Sequence, residues 1–248
     1  MAMADQRDMN ILRTLALVAL SVLPACLEVE QTIALTADGS GQQTVRMSMR
    51  ETMLADLERT SSAASTGAGF ATAVFDKELV GRELAAAGMT LVSHKAERKV
   101  PKRTVDLVAA FPDFAALQKS PLVGSSAEWT LTKGPKEGTA KLTLYPQGKT
   151  AWTEARAKAE SMTKETDAVA EAFFRKKQTE ITGLDLTVRF QVPGDVLVFT
   201  ANMEKTGPRE VVARITADQI KTPQDLVRRL APRFEVIFDA TGCKLPLQ

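Results

Sequence analysis

Apolar and polar positions alternate along much of the chain, and the period of that alternation changes from segment to segment. Over 27–36, Leu27, Val29, Ile33 and Leu35 point one way and Glu28, Glu30, Thr32 and Thr36 the other, the two-residue period of a half-buried strand. Ala-Asp-Gly-Ser-Gly at 37–41 leads into a second alternating run with Val45, Met47 and Met49 inward. Asp-Gly between two such runs predicts a hairpin, because glycine supplies the positive φ of the turn. Residues 50–59 shift to helical spacing through Met53, Leu54 and Leu57, and the small, polar stretch 60–73 reads as a surface loop. A helix is predicted from its N-cap Asp76 to Ala87, with Leu79, Val80 and Leu84 on one side and Gly88 as its stop.

Strands at 89–97 and 103–111 form the next predicted hairpin, the second with Val105, Leu107, Ala109 and Phe111 inward. Pro112 ends it and DFAALQKS makes a short helix. Ala127, Trp129 and Leu131 start another hairpin, which turns over Gly134–Gly138 and continues inward through Leu142 and Leu144. Between 150 and 181 the spacing becomes three and four: Trp152, Ala155, Ala159, Met162, Thr166, Val169 and Phe173 form one stripe, which predicts a single long helix laid across a sheet. Leu184, Leu186, Val188, Phe190 and Val192 give a clean strand. Pro193-Gly194-Asp195 then turns the chain into 196–201, which is apolar on both faces and so is expected to be central. A strand at 211–216, a short helix capped by Thr222 with Pro223 at its first position, and a strand through Phe234, Val236 and Phe238 complete the chain. Hairpins imply antiparallel pairing. The expected class is α+β: an antiparallel sheet of about ten strands with interleaved helices, and the 150–181 helix packed on it.

The first 26 residues carry an address. Residues 14–23, TLALVALSVL, are an apolar run about half the length that spans a bilayer, preceded by Arg13 and ended by Pro24. This is the layout of a secretory signal. Asp5 and Asp8 offset Arg7 and Arg13, and a start at Met9 gives the cleaner signal. The region Leu23-Pro24-Ala25-Cys26 resembles the lipobox of bacterial lipoproteins, with Pro24 a less common choice at its position. That resemblance implies a diacylglycerol on the Cys26 thiol, cleavage before Cys26 and acylation, for example with palmitate, of the new N-terminus. The anchor would be lipid, each buried CH₂ contributing ~0.8 kcal/mol. Residues 1–25 are then the leader and 26–248 a single domain. Ordinary cleavage after Ala25 is the alternative; it leaves a free thiol, and a 26–243 disulfide would then join the two ends of the mature chain. With Cys26 lipidated, Cys243 is an unpaired thiol.

The segment CLEVEQTIALTADGSGQQTVRMSM, 26–49, together with the strand ending at Phe111 before DFAAL, resembles the LppM-type bacterial lipoproteins. There a similar hairpin follows the lipidated cysteine and a hairpin–helix α+β domain comes next. The resemblance implies an envelope lipoprotein without known catalytic residues. No apolar run near the C-terminus matches those members that carry a transmembrane segment, so anchoring is expected to rest on Cys26.

Composition narrows the function classes. The 248 residues are 44% hydrophobic and 25% charged, an ordinary globular balance. A net charge of +2 gives no argument for nucleic acid, and 5% aromatics gives none for a stacking platform. One histidine and two cysteines leave no His/Cys metal cage, and no cofactor is expected. His94 lies in a predicted strand without a nucleophile elbow or a triad around it, and reads as a packed or surface residue. Lys95, Arg98, Lys99, Lys102 and Arg103 crowd one hairpin tip against Glu97, and Arg175-Lys176-Lys177 close the long helix. Each reads as a solvated cluster, with contact to an anionic envelope surface as the functional alternative. The expected protein is a non-catalytic, lipid-anchored envelope protein that binds a lipid, polymer or protein partner. The competing expectation is a hydrolase with an unrecognised active site.

Overall fold

The computed structural model describes residues 27–55, 73–162 and 168–247. Strands β1 (Leu27–Leu35) and β2 (Gly41–Arg50) pair antiparallel from Leu27 opposite Met49 to Leu35 opposite Gly41. Their turn is closed by the Gly39 N–H on the Thr36 carbonyl, 3.1 Å, with Gly39 at φ +88, a conformation that a Cβ would strain. Helix α1 (Lys77–Ala86) starts where the Asp76 carboxylate accepts from the Glu78 and Leu79 N–H groups. It stops at Gly88, beyond which the Met89 N–H reaches back to the Leu84 carbonyl. Strands β3 (Thr90–Lys99) and β4 (Lys102–Phe111) form the second hairpin, followed by α2 (Phe114–Gln118), capped by Asp113. Next come β5 (Glu128–Lys133), β6 (Thr139–Tyr145), α3 (Lys149–Ser161) and α4 (Ala168–Glu180). The chain continues through β7 (Asp185–Gln191), β8 (Val196–Phe199), β9 (Glu204–Gly207) and β10 (Glu210–Thr216). Helix α5 (Pro223–Leu230), whose Thr222 and Asp225 cap each other, leads into β11 (Phe234–Asp239).

Helices interleaved with hairpins match the expectation; one antiparallel sheet of about ten strands does not. Among the described residues eleven strands form two sheets, seven-stranded in the order β3-β4-β2-β1-β7-β10-β9 and four-stranded in the order β5-β6-β11-β8. Within the first, β1 and β7 run parallel, Glu28 opposite Asp185 and Ala34 opposite Gln191. Hairpin signals report only strands adjacent in sequence, so a pairing across 150 residues leaves no local trace. Strand β8 is a second correction. It is the edge of the four-stranded sheet, with a register shift on β11, and Leu197 and Val198 are 52% and 54% exposed. An apolar run that reads as doubly buried is here half solvent-facing.

The long helix is the third correction. Met162 is extended at the C-cap of α3, so 150–181 contains two helices. They pack with α5 rather than across a sheet: the Gln224 amide donates to the Met162 carbonyl, and Phe174 shares a small cluster with Ile220 and Leu226. The stripe was too thin to hold one helix on a sheet. Ala159 is buried, Trp152 and Ala155 only half-buried. Trp152 instead stacks on Tyr145, centroids 5.6 Å apart, under the Arg233 guanidinium at 4.8 Å. Thr166, like the predicted 60–73 loop up to residue 72, lies outside the described residues, as do the side chains of Val169 and Phe173.

The core lies between the sheets. One inner face carries Ile33, Val45, Leu107, Phe190 and Val211; the other carries Trp129, Leu131, Leu142, Leu144, Phe234 and Phe238. Phe190 joins them, edge-on to Trp129 at 6.4 Å and tilted against Phe234 at 6.0 Å. Helices α1 and α2 close the side through Val80, Leu84, Phe114 and Leu117. A second cluster of Leu27, Met49, Met53 and Leu54 caps the inner face near the start of β1. Phe190→Ala removes the ring that both sheets share. It should cost ~3–5 kcal/mol in urea unfolding, whereas Leu197→Ala, at an exposed edge, should cost well under ~1 kcal/mol.

Candidate functional site

The five predicted basic residues are brought together at one end of the seven-stranded sheet, and its pleat then divides them. Lys95, Lys99 and Lys102 project from the outer face, whereas Arg98 and Arg103 face inward, in the row that also holds Met49. Each has an intramolecular partner. Lys95 and Lys99 both reach Glu97, at 2.6 and 2.7 Å, Lys102 reaches Glu28 at 2.8 Å, and Arg98 bridges Glu51. Arg103 lies 5.9 Å over the Phe75 ring. Hydrogen bonds from the two lysines hold the Glu97 carboxyl down to about 2, and the Arg98 guanidinium lowers Glu51. Glu28, Glu51 and Phe75 were missed as partners in the sequence, because their contacts join residues far apart in the chain and exist only in the folded sheet and its flanking turns.

The hairpin is also anchored at its tip. The Glu51 N–H donates to the Pro101 carbonyl at 3.0 Å, tying the turn to the end of β2. Val100, beside it, is 76% exposed. The other basic cluster does not present three cations: Arg175 pairs with Glu171 at 2.7 Å and Lys177 is buried. His94 donates from Nε2 to the Val74 carbonyl, 2.9 Å, which ties β3 to the segment before α1.

The outer face of the same sheet forms an open concavity of about 580 Å³, lined among others by Glu30, Arg46, Asp106, Asp185, Arg189 and Arg214. Charges of opposite sign face each other from strand to strand. Arg46 lies between Asp106, 3.1 Å, and Glu30, 3.8 Å; Arg189 reaches Glu210 at 2.5 Å; Arg214 reaches Asp185 at 2.5 Å. Arg214 lowers the Asp185 carboxyl, and Glu210 is lowered by the Gln191 amide first, then by the Thr206 hydroxyl and Arg189. Such pairing stabilises the charged forms of Asp185 and Glu210. Among the described residues no cluster of His, Cys, Asp or Glu could hold a metal ion, and no helix is long and apolar enough to cross a membrane.

Cys26 lies outside the described residues, and with it the 26–243 pairing; Leu27, the next residue, starts β1. Cys243 sits past the far end of that strand, where the Lys244 N–H donates to the Ala37 carbonyl at 2.6 Å. Strand β1 extends roughly 27 Å between those ends at ~3.4 Å per residue.

The fold that results is a two-sheet α+β structure with its charged site on the outside of the larger sheet. No protein-family model matches the chain, and no curated protein matches it. Among solved structures it is similar to the folded domain of LppM from Mycobacterium tuberculosis, determined by NMR. The identity is 9% and the TM-score 0.46, over 88% of this chain and 92% of that one. An overlap this loose does not establish a common fold.

Acid should weaken the protein through carboxylates held low by hydrogen bonds. Asp38, in the β1–β2 turn, accepts from the Thr36 and Ser40 hydroxyls and from the Ser40 N–H, which lowers it from 3.8 to about 2. Between those values the unfolded chain binds the proton first, so stability falls as pH falls and is fully present above the higher one. Urea midpoints measured from neutrality down to pH ~2 should drop across that window. Asp38→Asn should flatten the drop and lower the midpoint at neutral pH.

Proposed function

We propose that this protein is a lipid-anchored bacterial envelope protein that works by binding rather than catalysis. The anchor is a diacylglycerol carried by Cys26, and the bound partner is an envelope lipid, polymer or protein. The observation that carries the reading is Leu23-Pro24-Ala25-Cys26 directly behind a ten-residue apolar run, with β1 starting at the next residue, Leu27. Non-catalytic action is supported by the side chains themselves. The only histidine donates to a backbone carbonyl, and on the outer face Asp106, Asp185 and Glu210 are engaged by arginines of neighbouring strands.

The test is detergent phase partition of the protein made in its bacterial host. Wild type should enter the detergent phase and gain the mass of a diacylglyceryl group, and Cys26→Ser should stay aqueous. A wild type that remains aqueous overturns the anchor. Hydrolysis of ester, peptide or glycoside substrates that persists through purification and is lost in His94→Ala would replace binding with catalysis.

A further inference from the structure

We infer that the β3–β4 hairpin end of the seven-stranded sheet is the face this protein lays on an anionic bilayer; the inference rests on the lipid anchor at Cys26. Leu27, bonded to that residue, is already buried in the fold and paired with Met49. No tether separates anchor from domain, so the sheet end that holds Leu27 must sit at the headgroups. Strand register says what else is there. Leu27 stands opposite Met49, Met49 opposite Arg103, and Arg103 opposite Arg98. The tip of the hairpin is thus three inter-strand steps from the anchor, roughly 14 Å at ~4.8 Å per step.

That tip has the chemistry of a bilayer contact. Among the described residues there, Arg50, Arg98, Lys99, Lys102 and Arg103 stand against Glu28, Glu51 and Glu97, a local excess of two positive charges. On the β7–β10 side of the same end, Asp185 is neutralised by Arg214 and Asp218 adds a further carboxylate, so the excess belongs to the hairpin side. Val100 is the most exposed large hydrophobic residue described and stands between Lys99 and Lys102 at the turn. The Glu51–Pro101 backbone bond and the Arg98–Glu51 pair hold that turn in place, so presenting it costs little ordering. Each basic side chain near an anionic leaflet adds a modest attraction. That is weak alone, but the anchor keeps the tip at high effective concentration over the surface. The contact is with the phosphate headgroups of anionic phospholipid, with Val100 seated among them.

The experiment uses the full chain, processed in its host and reconstituted in vesicles of phosphatidylcholine alone or mixed with phosphatidylglycerol. In a Cys243→Ser background, an environment-sensitive fluorophore is placed on Val100→Cys or, as a control, on Glu137→Cys. Glu137 lies in the β5–β6 turn beside Gly138, which bonds Ala240 at the opposite end of the molecule. The label at 100 should shift to the blue and lose accessibility to an aqueous quencher in phosphatidylglycerol vesicles only, while the label at 137 stays aqueous in both. Lys99→Gln with Lys102→Gln should abolish the shift; these residues make only surface ion pairs, so the fold should survive their loss. A label at 100 that stays aqueous on an anchored protein overturns this face and leaves the anchor standing. An equal shift in phosphatidylcholine alone, or a full shift in the double variant, overturns its dependence on charge. Labelling of Cys243→Ser with no added cysteine means that Cys26 is free, and both readings fall together.

Discussion

Strand β1 holds the molecule together because it pairs on both sides. It takes β2 antiparallel along its whole length and β7 parallel over seven residues, and so joins the N-terminal hairpins to the C-terminal strands in one sheet. Everything apolar follows from that placement. With β7 beside β1, Phe190 stands opposite Ile33 in the middle of the sheet, where it can meet Trp129 and Phe234 of the second sheet. Without the β1–β7 pairing each half would expose an edge and an inner face. The same placement puts the first residue after Cys26 in mid-sheet rather than on a free tail.

Burying one face of a seven-stranded sheet leaves the other in water, and this chain furnishes that face with charge. Outward positions of β1, β2, β4, β7 and β10 carry Glu30, Arg46, Asp106, Arg189 and Arg214, and opposite signs meet across the strands. Exposed pairs of this kind add little stability one by one, about 0–1 kcal/mol each. Their collective effect is specificity of register, since a one-residue slip of any strand would drive its arginine or carboxylate into the core. Compensation across the middle of the face also concentrates what excess charge there is among the described residues at the hairpin tip, at the end of the sheet that holds Leu27.

Much of the local structure was legible. The β1–β2 turn, the Asp76 and Thr222 caps, the Gly88 stop and the inward sets of β4 and β7 depend on contacts a few residues apart, and the residue types fix them. Helical spacing from Trp152 to Phe173 was a weaker guide. Period shows which side chains share a face, not what covers that face, and here α5 does so for helices broken at Met162. The run at 196–201 misled for a related reason: apolar composition resembles burial, yet β8 sits at an edge because β11 takes it as the last strand. The basic tip was visible as a cluster, but neither its carboxylate partners nor its division between two faces was, because both depend on which strands lie alongside.

The sequence by itself determined most of the elements with their caps and turns, the apolar side of most strands, the single histidine with no triad around it and the lipobox-like start at Cys26. Tertiary structure alone decided that there are two sheets, that β1 and β7 run parallel, that Cys243 lies a strand's length from Leu27, and that the basic hairpin shares an end with the residue that follows Cys26. The division has one physical cause. Local propensity, capping and alternation are written within a few residues of where they act. Pairing between distant strands is instead chosen by the whole set of apolar faces seeking burial at once.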